Sequence, residues 1–389
     1  MRHRGIALLS AAHVCDDLNQ GALPALLPFF IAERHYTIAA AGGLILAANV
    51  TSSVLQPVLG LHADRRGAPW LVPAGLFLAG TGVALSGLAP TYFLVLLSAA
   101  VSGIGVAAFH PEAARQVASL SGERRGTAMG IFAVGGNIGF AIGPALATPL
   151  QIAFGLRGTT WLVLPAVTMG AVLITTRQTT TQLSRAAAEP PTGADPDRWG
   201  SFWRVAAVAI CRAFVFYGLN TFIPLYWIHV FAKSKAAGAA ALTLMLSAGV
   251  AATLAGGWLA DRIGRRRVVV WSLALLFPFL LAFLSTGSAT VALALLVPIG
   301  VTLYAPFSVM TVMGQEYVPS RVATASGFII GVAVTLGGLV APVLGRIADL
   351  HGVHAALSTL LFVPLVGALI ATTLPRDRAG VSSGPRADS

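Results

Sequence analysis

The feature that most constrains this chain is an apolar run that recurs from end to end. Between Tyr92 and Phe109, for example, there is no charged residue. About 20 such residues cross the hydrocarbon core of a bilayer as a helix. Several stretches here reach that length. Composition agrees, since 56% of the 389 residues are hydrophobic and only 10% are charged, against roughly 25% charged in a soluble domain. A soluble enzyme with a large core would show polar helix faces, and almost none occur. The chain reads as a multi-span, all-α membrane protein.

Twelve helices are predicted, over 6–32, 38–61, 69–89, 92–118, 126–150, 157–177, 202–230, 237–260, 267–286, 290–316, 322–347 and 353–374. Most connectors are short, so neighbours run antiparallel. The exception is 178–200, a polar segment with Pro190, Pro191 and Pro196, read as a cytoplasmic linker between 1–177 and 201–376. Residues 377–389 read as a disordered tail. The start, Met1 to Arg4 before an apolar run, resembles a signal peptide, but Asp16 and Asp17 interrupt the run, so a retained first helix is expected.

The basic excess, 25 Lys+Arg against 14 Asp+Glu, sits in short loops rather than on a nucleic-acid face. With the N-terminus inside, the inner segments hold 19 of these residues and the outer segments 5, with Arg212 alone inside a span. That asymmetry predicts both termini in the cytoplasm. Cys15 and Cys211 fall within spans and read as packing residues.

The two halves repeat. Gly60, Asp64, Arg65 and Gly67 align with Gly257, Asp261, Arg262 and Gly264 at a shift of 197, and Gly105, Val106 and Pro111 align with Gly300, Val301 and Pro306 at a shift of 195. A tandem six-plus-six repeat resembles the major facilitator superfamily. Its loop motif G-x-x-x-D-R-x-G-R-R is complete from Gly257 through Arg265 and Arg266, while Ala68-Pro69 replaces the basic pair in the first half. The resemblance implies two six-helix bundles related by a pseudo-two-fold axis. In the motif, glycines permit close helix ends, and the Asp and Arg are expected to latch one half to the other in one conformation. The alternative is a plain positive-inside anchor.

Further motifs are similar to the fosmidomycin-resistance group of transporters. They are His13-x-x-Asp16-Asp17, Ser52-Ser53-x-Leu55-Gln56-Pro57, Phe109-His110-Pro111-Glu112 with Arg115, Val134-Gly135-Gly136-Asn137, and Gln315-Glu316 followed by Arg321. Asp16 stands where the group has Asn, and Ala133 where it has Gln. The likeness implies a proton-driven exporter of small, often anionic, toxic compounds in a bacterial inner membrane.

Ionisable groups in hydrocarbon are costly, so each is a candidate functional residue. His13 and Asp17 share a helix face; the pair is either proton-coupling or a structural hydrogen bond. Two adjacent carboxylates at mid-membrane depth are hard to keep ionised together, and a proton carrier needs a group that is neutral in one state and charged in another. His110 and Glu112 lie on nearly opposite faces, and Pro111 frees a carbonyl near residue 107. Glu112 can pair with Arg115, as a switch or as a static bridge. The repeat discriminates, because Asp17, His110 and Glu112 map to Phe214, Ala305 and Phe307. The fold does not demand charge there. Asp16, Asp17, His110 and Glu112 are therefore the proton-coupling candidates. His13, Gln56, Arg115, Asn137, Arg212 and Asn220 are the substrate-contact candidates, and Gln315, Glu316 and Arg321 form a candidate gate.

The spacing Gly135, Gly139, Gly143 makes a flat strip for close helix packing, and with Pro144 it loosely resembles the superfamily's antiporter motif. No nucleophile elbow, phosphate loop or paired-cysteine frame occurs, and His351 and His354 are too few for a metal site. No enzyme activity, cofactor, metal or nucleic-acid partner is expected; the partners are protons, a small molecule and the bilayer, and the chain is expected to act as a monomer. The reading is a proton-coupled antiporter working by alternating access, with a proton-coupled importer of a small organic anion as the alternative.

Overall fold

Backbone amides in hydrocarbon have no water to bond, and the chain answers by closing almost every described residue into a helix. The computed structural model describes residues 2–66, 68–121, 125–176, 196–319, 325 and 328–375. The elements are α1 (Arg2–Arg34), α2 (Ile38–Arg66), α3 (Leu71–Ser86), α4 (Tyr92–Ser121), α5 (Arg125–Phe154) and α6 (Val163–Thr175). After them come α7 (Trp199–His229), α8 (Lys235–Ile263), α9 (Arg265–Ser285), α10 (Ala289–Tyr317), α11 (Ala333–His351), α12 (Val353–Ser358) and α13 (Val363–Thr372).

Among the described residues, eight apolar helical segments are long enough to cross a membrane, and one of them, Ala128–Thr175, spans 48 residues and holds two crossings, α5 and α6. The helices α1, α3 and α11 supply the rest. In α1, His, Asp, Asn and Gln side chains lower the hydropathy, and α3 has only 16 residues. The twelve predicted crossings are thus accounted for, with α12 and α13 forming the twelfth.

Three crossings depart from plain α-helix. The sixth opens with a 3₁₀ stretch, Gly155–Leu162. A π-helical turn, Phe328–Val332, precedes α11. The twelfth breaks at 359–362, where Thr359, Leu360 and Leu361 bond three residues back. Pro364 lies just past that break, and its ring cannot coexist with an α-helical carbonyl at 360. Of the predicted linker, residues 178–195 lie outside the described residues, as does the predicted tail, 377–389; α7 begins at Trp199.

The glycine strip of α5 lies on α1. A methyl on Gly135 would meet the Ser10 carbonyl, one on Gly139 the Val14 carbonyl, and one on Gly143 the backbone of Gly21 and Ala22. Helix α4 packs on α2 and α3, and α10 on α8 and α9. The two halves meet along α2 with α11 and α5 with α8. One apolar core, including the wholly buried Phe30, Phe222, Tyr226 and Phe283, runs through both halves. A second, around Leu9, Leu76, Phe109 and Val117, fills the first. Phe93, Val58, Trp271 and Leu369 point outward, as a lipid-facing surface requires.

Candidate functional site

Helices α1, α4 and α5 bring four ionisable side chains together. His13 and Asp17, one turn apart on α1, bond at 3.1 Å between Nε2 and Oδ2. His110 reaches across from α4. Its Nε2 lies 3.3 Å from Asp17 Oδ1 and 3.0 Å from His13 Nε2, and its Nδ1 lies 3.5 Å from Asp16 Oδ2. Backbone carbonyls hold both rings. His13 Nδ1 is 2.8 Å from the Phe132 carbonyl of α5, and His110 Nδ1 is 3.0 Å from the Val106 carbonyl, next to the one Pro111 frees. The Gln20 amide donates to Asp17 Oδ1 at 2.7 Å. Phe132 stacks on His13 at 4.1 Å between ring centres.

Asp16 is completely buried and neither of its oxygens has a hydrogen-bond partner. Both aspartates face His110 of α4. His13, expected at the substrate, has both ring nitrogens engaged within the cluster. His13, Asp17 and His110 offer ligand-type atoms within 4.8 Å of one another. Two nitrogens around tetrahedral zinc stand about 3.3 Å apart, given Zn–N bonds of about 2.0–2.1 Å. The 3.0 Å separation of the two Nε2 atoms is instead a hydrogen-bond distance.

Glu112 forms a separate site on the other face of α4. It is fully buried and accepts from Arg115 Nε at 2.8 Å, Arg115 Nη2 at 2.6 Å and Gln116 Nε2 at 2.9 Å. A bidentate pair with a third donor satisfies most of the carboxylate's lone pairs. Gln116 also lines a lateral groove of about 560 Å³ between α3, α4 and α6, whose other walls, such as Trp70, Phe77 and Ile174, are apolar. The groove does not touch the His–Asp cluster.

The second half contributes a buried cation. Arg212 on α7 is 7% exposed, donates to the Leu303 carbonyl at 3.3 Å and lies 4.7 Å over the Phe307 ring and 5.7 Å from Phe216. Its Nε has no partner, and no carboxylate pairs with it among the described residues. Asn220, also on α7, leaves its carbonyl oxygen unpaired and, with Gln20, Asn49 and Tyr217, lines a cavity of about 20 Å³ where the halves meet. That volume suits one water, not a drug-sized molecule. Asn137 reaches Thr253 of α8 at 3.4 Å across the seam. Gln56 donates to Ser52 on its own helix.

Three basic residues of the complete loop motif make contacts within the second half. Arg262 stacks on Trp258 at 3.7 Å, Arg265 pairs with Glu316, and Arg266 bonds the Thr372 carbonyl. Asp261 is exposed, and a side chain at Gly257 would meet nothing; Gly264 takes a φ of 94° that an L-residue rarely adopts. Each of these arginine contacts lies within the second half. In the first-half copy Gly60 packs on Pro111, while Gly67 and the side chains of Asp64 and Arg65 lie outside what is described. Gln315 sits partly buried beside Glu316, and Arg321 lies outside the described residues.

Sequence reasoning missed Asp349. From α11 it accepts from the Ile38 and Ala39 amides at 2.8 and 3.0 Å, bridging the halves at the start of α2. Its one sequence signal was an acid near a helix end, three residues after Arg346. Gln116 and Tyr217 gave no signal, because their roles depend on contacts between helices.

A bundle of this topology with a buried acid–imidazole cluster and a facing buried cation defines a membrane transporter rather than an enzyme. The family profile of the Major Facilitator Superfamily matches residues 9–342, and the chain belongs to that family. Among curated proteins, it is 32% identical over 379 residues to the fosmidomycin resistance protein of Escherichia coli (strain K12), covering 96% of this chain and 93% of that one. It is 25% identical over 376 residues to multidrug resistance protein 2 of Bacillus subtilis (strain 168), covering 93% and 92%. Among solved structures, it matches a bacterial homologue of the human lysosomal transporter Spinster, in an inward-facing and occupied conformation. The TM-score is 0.79 at 17% identity, covering 97% of this chain and 99% of that chain, which is a likeness of fold.

Proposed function

We propose that this transporter exports small anionic or drug-like compounds in exchange for protons, from a bacterial inner membrane with both termini in the cytoplasm. The observation that carries the reading is the separation of charge. Protonatable groups cluster on α1 and α4, while a cation that pairs with no carboxylate among the described residues is buried on α7. A buried guanidinium whose Nε has no hydrogen-bond partner is a costly feature to keep unless an anion visits it. Acids and imidazoles held together supply a group whose protonation changes the charge of the first half. The basic loops support the cytoplasmic placement, and the names of the resistance relatives support export.

On this reading a proton from outside neutralises the Asp17 cluster while the halves open outward and the anion leaves Arg212. Release of the proton inside restores the charge, and the carrier binds again. Glu112 is a second protonatable group, whose neutralisation would free Arg115. Inside-out vesicles loaded with this protein test the proposal with fosmidomycin as the probe. Uptake should require an imposed pH gradient, acid inside, and should collapse with an uncoupler. Uptake driven by the opposite gradient would point to a proton-coupled importer instead.

A further inference from the structure

We infer that His13 is a proton-carrying residue, and that His13, His110 and Asp17 hold a proton jointly in the conformation seen here. The inference rests on the proton-coupled reading and deepens it. Two carbonyls carry the argument. Phe132 and Val106 each present an oxygen to an imidazole Nδ1, at 2.8 and 3.0 Å. A carbonyl oxygen offers only lone pairs, so both rings are held as Nδ1–H. Each Nε2 of a neutral ring is then a bare lone pair. Those two nitrogens face each other at 3.0 Å, and Asp17 adds its oxygens at 3.1 and 3.3 Å. With no further proton, three acceptors would confront one another inside the membrane, an arrangement of high cost. Gln20 donates only to Asp17 and gives nothing to either Nε2. One added proton on this group turns the opposed acceptors into hydrogen bonds. The structure therefore holds at least one proton there, taken from water and returned to it.

The surroundings leave the group to itself. Helix α1 adds Asp16 and Cys15 nearby and Arg2, His3, Arg4, Glu33 and Arg34 at its ends; α4 adds Tyr92 at its start and Glu112 with Arg115, which pair on its far face. Helices α3 and α6 contain no ionisable residue, α5 carries Arg125 only at its start, and those of α2, His62 to Arg66, lie at its end. From the second half, Tyr217 and Tyr304 lie near Asp17, with Arg212 near both.

The test separates sharing of a proton from mere packing. Asn in place of His13 keeps an N–H for the Phe132 carbonyl but has no Nε2; Phe keeps only the stack on Phe132. In proteoliposomes transporting fosmidomycin, both His13→Asn and His13→Phe should lower gradient-driven export at least about tenfold, the scale of one lost proton-transfer group. The export that remains in His13→Asn should follow a shifted pH profile. A His13→Asn protein that exports with the wild-type rate and profile overturns the inference. Independently of transport, nitrogen-15 NMR of the eight histidines should show two rings with Nδ1 protonated and Nε2 shifts between bare and protonated values. Both signals should disappear or change in His13→Asn and in His110→Asn. Two ordinary, independent histidines at 13 and 110 would refute the shared proton even if export proves proton-driven. Wild-type export indifferent to pH would sink the coupling reading instead, and the spectra would still decide the sharing.

Discussion

At the residue scale, helices α1 and α7 hold equivalent places in the repeat and carry opposite charge. Cys15 maps to Arg212 and Asp17 to Phe214 at the shift of 197. Phe307, the counterpart of Glu112, lies under the Arg212 guanidinium. The second half has thus exchanged an acid for an aromatic shelf beneath a cation. Arg212→Gln should lower fosmidomycin export about 10- to 100-fold, since a lost hydrogen bond to a charged group is worth about 1.5–3 kcal/mol. Arg212→Lys should recover little, because an ammonium neither stacks flat nor forks. Initial rates in vesicles check both, and a full rate for Arg212→Gln would remove it from the substrate path. These charged residues were legible in the sequence because they interrupt otherwise apolar helices. The i,i+4 contact of His13 with Asp17 was legible too. The approach of His110 to both was not, because it joins residues 97 apart, and helical periodicity does not carry that far. For the same reason His13 read as a substrate contact, and its second partner, the Phe132 carbonyl, was invisible.

At the element scale, the strip on α5 was evident in the sequence, but its partner helix was not. Four-residue spacing fixes a face without saying what covers it. The structure puts α1 there, so close that a Cβ at Gly139 would overlap the Val14 carbonyl. The neighbouring face does something different, since a methyl at Gly136 would meet Asp17 Oδ2 and the His13 ring. Two alanine substitutions one turn apart should therefore have distinct consequences. Gly139→Ala must push the helices apart and should cost roughly 1–3 kcal/mol, the usual penalty of overpacking. It should show as a lower melting temperature in detergent. Gly136→Ala presses on the cluster instead and should depress pH-driven fosmidomycin export more than it depresses melting. If the two variants lose stability and export in the same proportion, α5 is only a packing element. The breaks in the sixth, eleventh and twelfth crossings escaped the sequence reading because apolar periodicity continues through them, while tertiary packing decides between α, 3₁₀ and π turns.

At the scale of the whole molecule, the question is which seam is closed. Along α2 and α11 small residues meet without a gap. Gly42 abuts the Ala341 carbonyl, Gly345 abuts Ala39, and Gly338 abuts the Asn49 side chain. At the end of that seam Asp349 takes the first amides of α2, the positive end of the helix dipole. Lys235 lies 4.1 Å over Phe29 and adds a second bridge between the halves at the start of α8. On the opposite face Arg265 pairs with Glu316 and Arg266 bonds the Thr372 carbonyl, both within the second half. The six-plus-six repeat announced two halves, but the sequence could not say which end was shut, because the seam pairs residues 311 apart. Asp349 is exposed to solvent, so its two bonds are worth about 1 kcal/mol after screening. Removing them should move the balance between the two openings roughly fivefold toward the α2–α11 side. A cysteine at Ala48, which lines the small cavity between the halves, reports the shift when Cys15 and Cys211 are replaced by serine. Asp349→Ala should raise its labelling by an impermeant maleimide applied from the Asp349 face. It should also slow export, since the carrier would rest with the wrong side open. Asp349→Asn should retain little of the seam, because a neutral amide oxygen is a weaker acceptor than a carboxylate. Unchanged labelling in both variants would show that the glycine contacts alone keep this face shut.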